Sequence, residues 1–112
     1  MMAVKSEDYS NVCVICLDGD VTTEACQQVR ATVEERVEQR RIVDFVIDLE
    51  KVDFIDSEGL ETLLWLKRRS EDLFGQIKLA HLDDNCRKIL ELTRLEHRFE
   101  CHGDLAAALK TM

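Results

Sequence analysis

Apolar and polar residues change their spacing several times along this chain, and each change marks an element. Asn11 to Asp18 is a near-continuous apolar run rich in β-branched residues, which predicts a strand covered on both faces. Gly19 and Asp20 end it. Thr22 or Thr23 can cap the helix that follows, in which Val29, Val33 and Val37 recur every fourth residue with charges between them. Ile42 to Leu49 predicts a second buried strand. The connection from Lys51 to Ile55 carries Val52, Phe54 and Ile55, all expected to pack inward. A helix is expected from Glu58 to Phe74, with Leu60, Leu63, Leu64 and Lys67 on one face and Gly75 stopping it as a C-cap. Trp65 and Leu66 fall off that face. Either neighbours cover the helix widely, or these two form an exposed docking patch.

Gln76 to His81 alternates and predicts a third strand. Asp84 to Leu92 predicts a shorter helix with Cys86, Ile89 and Leu90 inward. His97 to Cys101 reads as an edge strand, and Asp104 can cap a last helix from Leu105 to Lys110. Met1 to Tyr9 reads as an opening strand. Strands alternating with helices imply an α/β layered fold: a mixed, mainly parallel sheet of about four to five strands with about four helices. No proline, repeat or linker-like stretch interrupts the 112 residues, so residues 1–112 are expected to form a single domain.

Charge narrows the partners. The net charge of −8 argues against a nucleic-acid backbone or an anionic membrane surface. No apolar run approaches the ~20 residues of a membrane helix. The start, Met1 to Asp8, lacks the apolar stretch of a signal peptide, so a cytoplasmic location without membrane insertion is expected. The five cysteines are odd in number, which speaks against a disulfide framework. Cys13 and Cys16 match C-x-x-C, but residues three apart on a strand point to opposite faces. The three histidines are scattered without paired ligand spacing. No metal and no cofactor is expected.

The segment Asp53-Phe54-Ile55-Asp56-Ser57-Glu58-Gly59-Leu60 is the most informative. Asp56 and Ser57 are both N-cap residue types, and an apolar helical pattern begins just after them. Two readings of Ser57 fit this position. One is a plain N-cap. The other is a phosphate acceptor, because a helix N-terminus tolerates an anion. Phosphate would add about −2 charge to a patch that already holds Asp53, Asp56 and Glu58.

This run, F-I-D-S-E-G-L after a strand ending Ile47-Asp48-Leu49, resembles the D-S-S-G motif of the STAS domain family, which includes the bacterial anti-sigma factor antagonists. Leu17-Asp18-Gly19-Asp20-Val21 resembles the family's L-x-G-x-L segment, and Leu90 to Leu95 its late L-x-x-x-G-L segment. The resemblance implies a STAS-like domain with Ser57 as the phosphorylated serine. It implies an anti-sigma factor with serine kinase activity as the partner, bound when Ser57 is unphosphorylated and released afterwards, with a serine phosphatase to reset the switch. The expected partner-binding residues are Asp20, Asp53, Asp56, Ser57, Glu58, Gly59 and Glu61. The chain departs from the family twice: Glu58 replaces the usual second serine, and Arg94 stands where glycine is usual. A non-switching STAS subunit of a transporter or sensing complex is the alternative.

Enzymatic readings lack their residues. A serine hydrolase elbow, G-x-S-x-G, would need a glycine where Ile55 stands. No phosphate-cradling glycine loop is present. Asp18, Asp20 and Asp48 imitate a receiver's acidic set, but their spacing is short and no suitable lysine follows. No catalytic residue, and hence no enzyme, is expected.

Overall fold

The computed structural model describes residues 3–112; Met1 and Met2, included in the expected opening strand, lie outside them. Strand β1 (Ala3–Tyr9) turns back into β2 (Val12–Asp18), and helix α1 (Thr23–Arg40) leads to β3 (Asp44–Lys51). Helix α2 (Ser57–Asp72), β4 (Ile77–Ala80), α3 (Asp84–Leu92), a 3-10 turn (Glu96–Arg98), β5 (Glu100–His102) and α4 (Leu105–Lys110) follow. The sheet runs β1-β2-β3-β4-β5. Among the described residues only the β1–β2 pairing is antiparallel; the other three are parallel. The mixed, mainly parallel sheet expected from the alternation is therefore what forms.

Period-two alternation gives the sheet two unequal faces. Cys13, Ile15 and Leu17 of β2, Phe45, Ile47 and Leu49 of β3, and Ile77 and Leu79 of β4 point to one side. Val29 and Val33 of α1, Leu63 and Leu66 of α2, and Cys86 and Leu90 of α3 cover them there. The opposite side is smaller: Val12, Val14, Val46 and Ala80 pack beneath Leu105, Ala108 and Leu109 of α4. Cys13 lies in the first layer and Cys16 against the second, so the C-x-x-C sulfurs do diverge. All five thiols are free. Burial pushes the Cys13 and Cys86 thiols up to about 12, the behaviour of inert core residues.

Several local expectations shift. The second predicted strand begins at Asp44, not Ile42, because Ile42 packs into the core from the connection. Leu66 is fully buried rather than off the inward stripe; α2 is pressed between α1 and the sheet, which widens its covered arc. Lys67 leaves that arc and pairs with Glu71 at 2.8 Å. Trp65 is half-buried, with the Arg30 guanidinium 4.8 Å over its ring. The exposed docking patch considered for Trp65 and Leu66 is therefore not formed. The last strand begins at Glu100, after the 3-10 turn takes up His97.

The end of α2 needs its glycine for a different reason than expected. Gly75 N–H donates to Ser70 O (2.7 Å) and Phe74 N–H to Glu71 O (3.0 Å), the paired bonds of a Schellman turn. The left-handed residue is Phe74, at φ 64°, and not Gly75. A Cβ on Gly75 would sit 2.0 Å from Val43 O, so the glycine permits backbone contact with the start of β3.

Gly75→Ala is expected to lower stability by about 2 kcal/mol or more in urea melts, since rigid backbone faces the added methyl. Ser70→Ala is expected to do the reverse. The Ser70 hydroxyl is buried without a hydrogen-bond partner among the described residues, so its removal should raise the melting midpoint, by on the order of 1 kcal/mol.

Candidate functional site

Two loops meet at the mouth of α2. Val52 and Ile55 sink into the core and anchor the β3–α2 connection between them. Val21, in the β2–α1 loop, forms a single parallel bridge with Ile55. Its N–H donates to Phe54 O at 3.0 Å, and its carbonyl accepts from Asp56 N–H at 3.4 Å. Gly19 N–H adds a bond to Lys51 O at 3.1 Å. The two loops are thus stitched edge to edge, although 34 positions separate Val21 from Ile55 in sequence.

Asp56, not Ser57, is the N-cap. Its backbone is extended (φ −84°, ψ −178°) and its carboxylate accepts from Gly59 N–H at 2.8 Å. Ser57 is the first helical residue and is exposed. The plain capping reading of Ser57 therefore falls away. The first N–H groups of a helix lack intrahelical partners. Asp56 takes that of Gly59, which leaves those of Ser57 and Glu58 at the positive end of the α2 dipole.

The expected partner-binding residues do not all play that part. Asp20, Asp53, Ser57, Glu58 and Glu61 are exposed around the helix start. Asp56 is half-buried and committed to its cap. Gly59 is buried, and a Cβ there would meet Ile55 Cγ2 at 2.7 Å and Val21 O at 2.9 Å. It lets α2 approach the stitched loops and offers no surface to a partner. Glu58 accepts a hydrogen bond from the Thr23 hydroxyl, so the departure from the family's second serine ties the first turn of α2 to that of α1. Thr22 occupies the N-cap position of α1 but makes no side-chain capping bond.

Phe54 was expected inside but is 50% exposed. It borders a groove of about 270 Å³ with Asp53, Lys88, Ile89 and Leu92, and Leu92 is itself exposed. Val52 and Ile55 point inward and both residues between them, Asp53 and Phe54, turn outward, so the connection breaks the strict period-two alternation of a strand. The histidines pair elsewhere: His81 with Asp48, His97 with Glu96 and His102 with Glu100. Arg94, where the family's glycine is usual, adopts φ 60° itself, so the late turn keeps its left-handed residue.

The STAS domain model matches residues 3–108. The chain belongs to the STAS domain family. BtrV of Bordetella bronchiseptica, assigned as an anti-sigma factor antagonist, is 26% identical over 115 residues, covering 98% of this chain and 97% of that protein. The anti-sigma factor antagonist SpoIIAA in its unphosphorylated form superposes with a TM-score of 0.83 at 23% identity, over 97% of this chain and 96% of its own. Its phosphorylated form, described as a Bacillus cell fate determinant, gives 0.77 at 22% identity, over 98% and 100%. A sulfate transporter family protein from Wolinella succinogenes shares the fold at a TM-score of 0.81 and 14% identity, over 92% and 85%. The curated relatives carry the names of regulatory antagonists, not of enzymes. No helix among the described residues is long and apolar enough to cross a membrane.

Asp56→Ala is expected to cost about 1 kcal/mol by removing the cap of α2, and Gly59→Ala more, through the clash with Val21 O. Chemical denaturation checks both. Ser57→Ala should leave the midpoint unchanged, since the Ser57 side chain is exposed and does not supply the cap.

Proposed function

We propose that this chain is an anti-sigma factor antagonist switched by phosphorylation of Ser57. The observation that carries the reading is an exposed hydroxyl on the first residue of a helix whose cap is supplied by its neighbour. Modification then costs the fold nothing. The unphosphorylated chain binds an anti-sigma factor that is also a serine kinase, and so frees a sigma factor. The kinase transfers the γ-phosphoryl group of ATP to Ser57 Oγ, ADP leaves, and the hydroxyl proton passes to a kinase base.

Release follows from charge. Asp20, Asp53, Glu58 and Glu61 are exposed around Ser57, and phosphate adds about −2 to this rim. Open N–H groups at the helix start hold the phosphate on this chain while the partner's surface is repelled. A serine phosphatase restores the binding form. Phe54, together with Leu92, supplies apolar contact beside the charged rim. The whole chain acts as one domain in this scheme. The alternative of a non-switching subunit loses its surface motive, because Leu66 is core and Trp65 is stacked beneath Arg30. Likeness to the transporter-family protein extends to the fold alone.

The test uses a candidate anti-sigma factor with serine kinase activity. Incubation with Mg-ATP should place one phosphate on Ser57 by mass spectrometry. Ser57→Asp should bind that kinase at least about tenfold more weakly than Ser57→Ala, and Phe54→Ala should also weaken binding. Phosphate absent from Ser57 with an active kinase, or equal affinities of the two Ser57 variants, would overturn the reading.

A further inference from the structure

A second cluster of chemistry-bearing side chains lies on the sheet face that α4 only partly covers. Strand register builds it. Lys5 of β1 pairs with Cys16 of β2, Cys16 with Asp48 of β3, and Asp48 with Ala80 of β4, just before His81. The Cys16 thiol lies 3.9 Å from Asp48 Oδ2, and His81 Nδ1 lies 2.9 Å from Asp48 Oδ1. One donor atom each from Asp48, Glu50 and His81 falls within 4.8 Å of the others. These residues stand at the carboxyl ends of parallel strands, where open α/β sheets place their ligands.

We propose that Cys16, Asp48, Glu50 and His81 form a binding site for a divalent transition cation of the zinc class. The donor set decides the class. A ring nitrogen and a thiol beside two carboxylates suit zinc or cobalt, whereas magnesium and calcium take oxygen alone. Tetrahedral zinc, with bonds of about 2.0–2.3 Å, holds its donors about 3.5 Å apart. Asp48, Glu50 and His81 bracket that value with donor atoms no more than 4.8 Å apart, whereas Cys16 Sγ lies outside this trio, 3.9 Å from Asp48 Oδ2, and joins it by side-chain rotation. Asp48 is nearly buried and is fixed further by Glu50 N–H at 3.1 Å. His81 is held by its own N–H to His102 O at 3.1 Å and adopts φ 59°.

Charge and access agree. A thiolate and two carboxylates exceed a divalent ion by one negative charge. Lys5 and Lys51 line an opening of about 250 Å³ with Cys16, Asp48 and Glu50, and their two positive charges offset that surplus and the charge of Asp18 at its edge. The opening also gives the ion a path from solvent. Binding releases the thiol proton to solvent and ties the ends of β2 and β3 to the residue after β4.

The test is titration of the chelator-treated full chain with zinc chloride by calorimetry, and with cobalt chloride by absorption. One equivalent is expected to bind. Cobalt should show tetrahedral d–d bands and a thiolate-to-cobalt band, and zinc should raise the melting temperature. His81→Asn, chosen because asparagine accepts a positive φ, should weaken zinc binding about 10–100-fold. Cys16→Ser should abolish the thiolate band. His97→Ala, at an exposed histidine paired with Glu96 and not part of this cluster, should change nothing. No saturable binding, binding unaffected by His81→Asn, or cobalt bound without the thiolate band would overturn the four-donor centre.

Discussion

The close approach of α2 to the stitched loops is the constraint on which the rest of this structure depends. Val21 bridges Ile55 through backbone bonds to Phe54 and Asp56 on either side of it, and only a residue without a Cβ fits above the two loops. Gly59 therefore fixes where α2 begins, and Asp56 fixes how it is capped. With both in place, Ser57 has no direction left but outward. The presentation of one hydroxyl is thus a result of core packing at Ile55 and Gly59, two residues to either side, not of any bond to the hydroxyl itself.

The two sheet faces divide the labour. Three helices bury one face, and the start of one of them, α2, carries the exposed Ser57. One short helix covers the other and leaves the row from Lys5 to Asp48 reachable. Contacts of β1 with α1 close the far edge, where Arg36 and Arg40 both reach Asp8. Burial would raise the Asp8 carboxyl, but the two guanidinium groups outweigh it and hold it below the usual range.

Element order and type were legible because the apolar period changes so clearly between strands and helices. Finer points were not. Asp56 and Ser57 are both capping residues, and only the loop geometry decides between them. The burial of Leu66 needed knowledge that α2 is packed on two sides. Gly75 drew the usual inference for a glycine after a helix, whereas the steric demand of Val43 governs it and Phe74 takes the strained conformation. Cys16, Asp48 and His81 share no sequence spacing; parallel register alone makes them neighbours.

Beneath α4 lies Lys78, whose side chain is 1% exposed. Its ammonium meets Glu100 at 2.9 Å and the Thr111 hydroxyl just past the helix. A helix of six residues has little stability of its own, so this covered cation and its two partners help to seat it. The closing residues of the fold are accordingly not a spare tail. Shortening the chain before Thr111 would strip a partner from a charge that water cannot reach, and the lid over Val14 and Val46 would loosen with it.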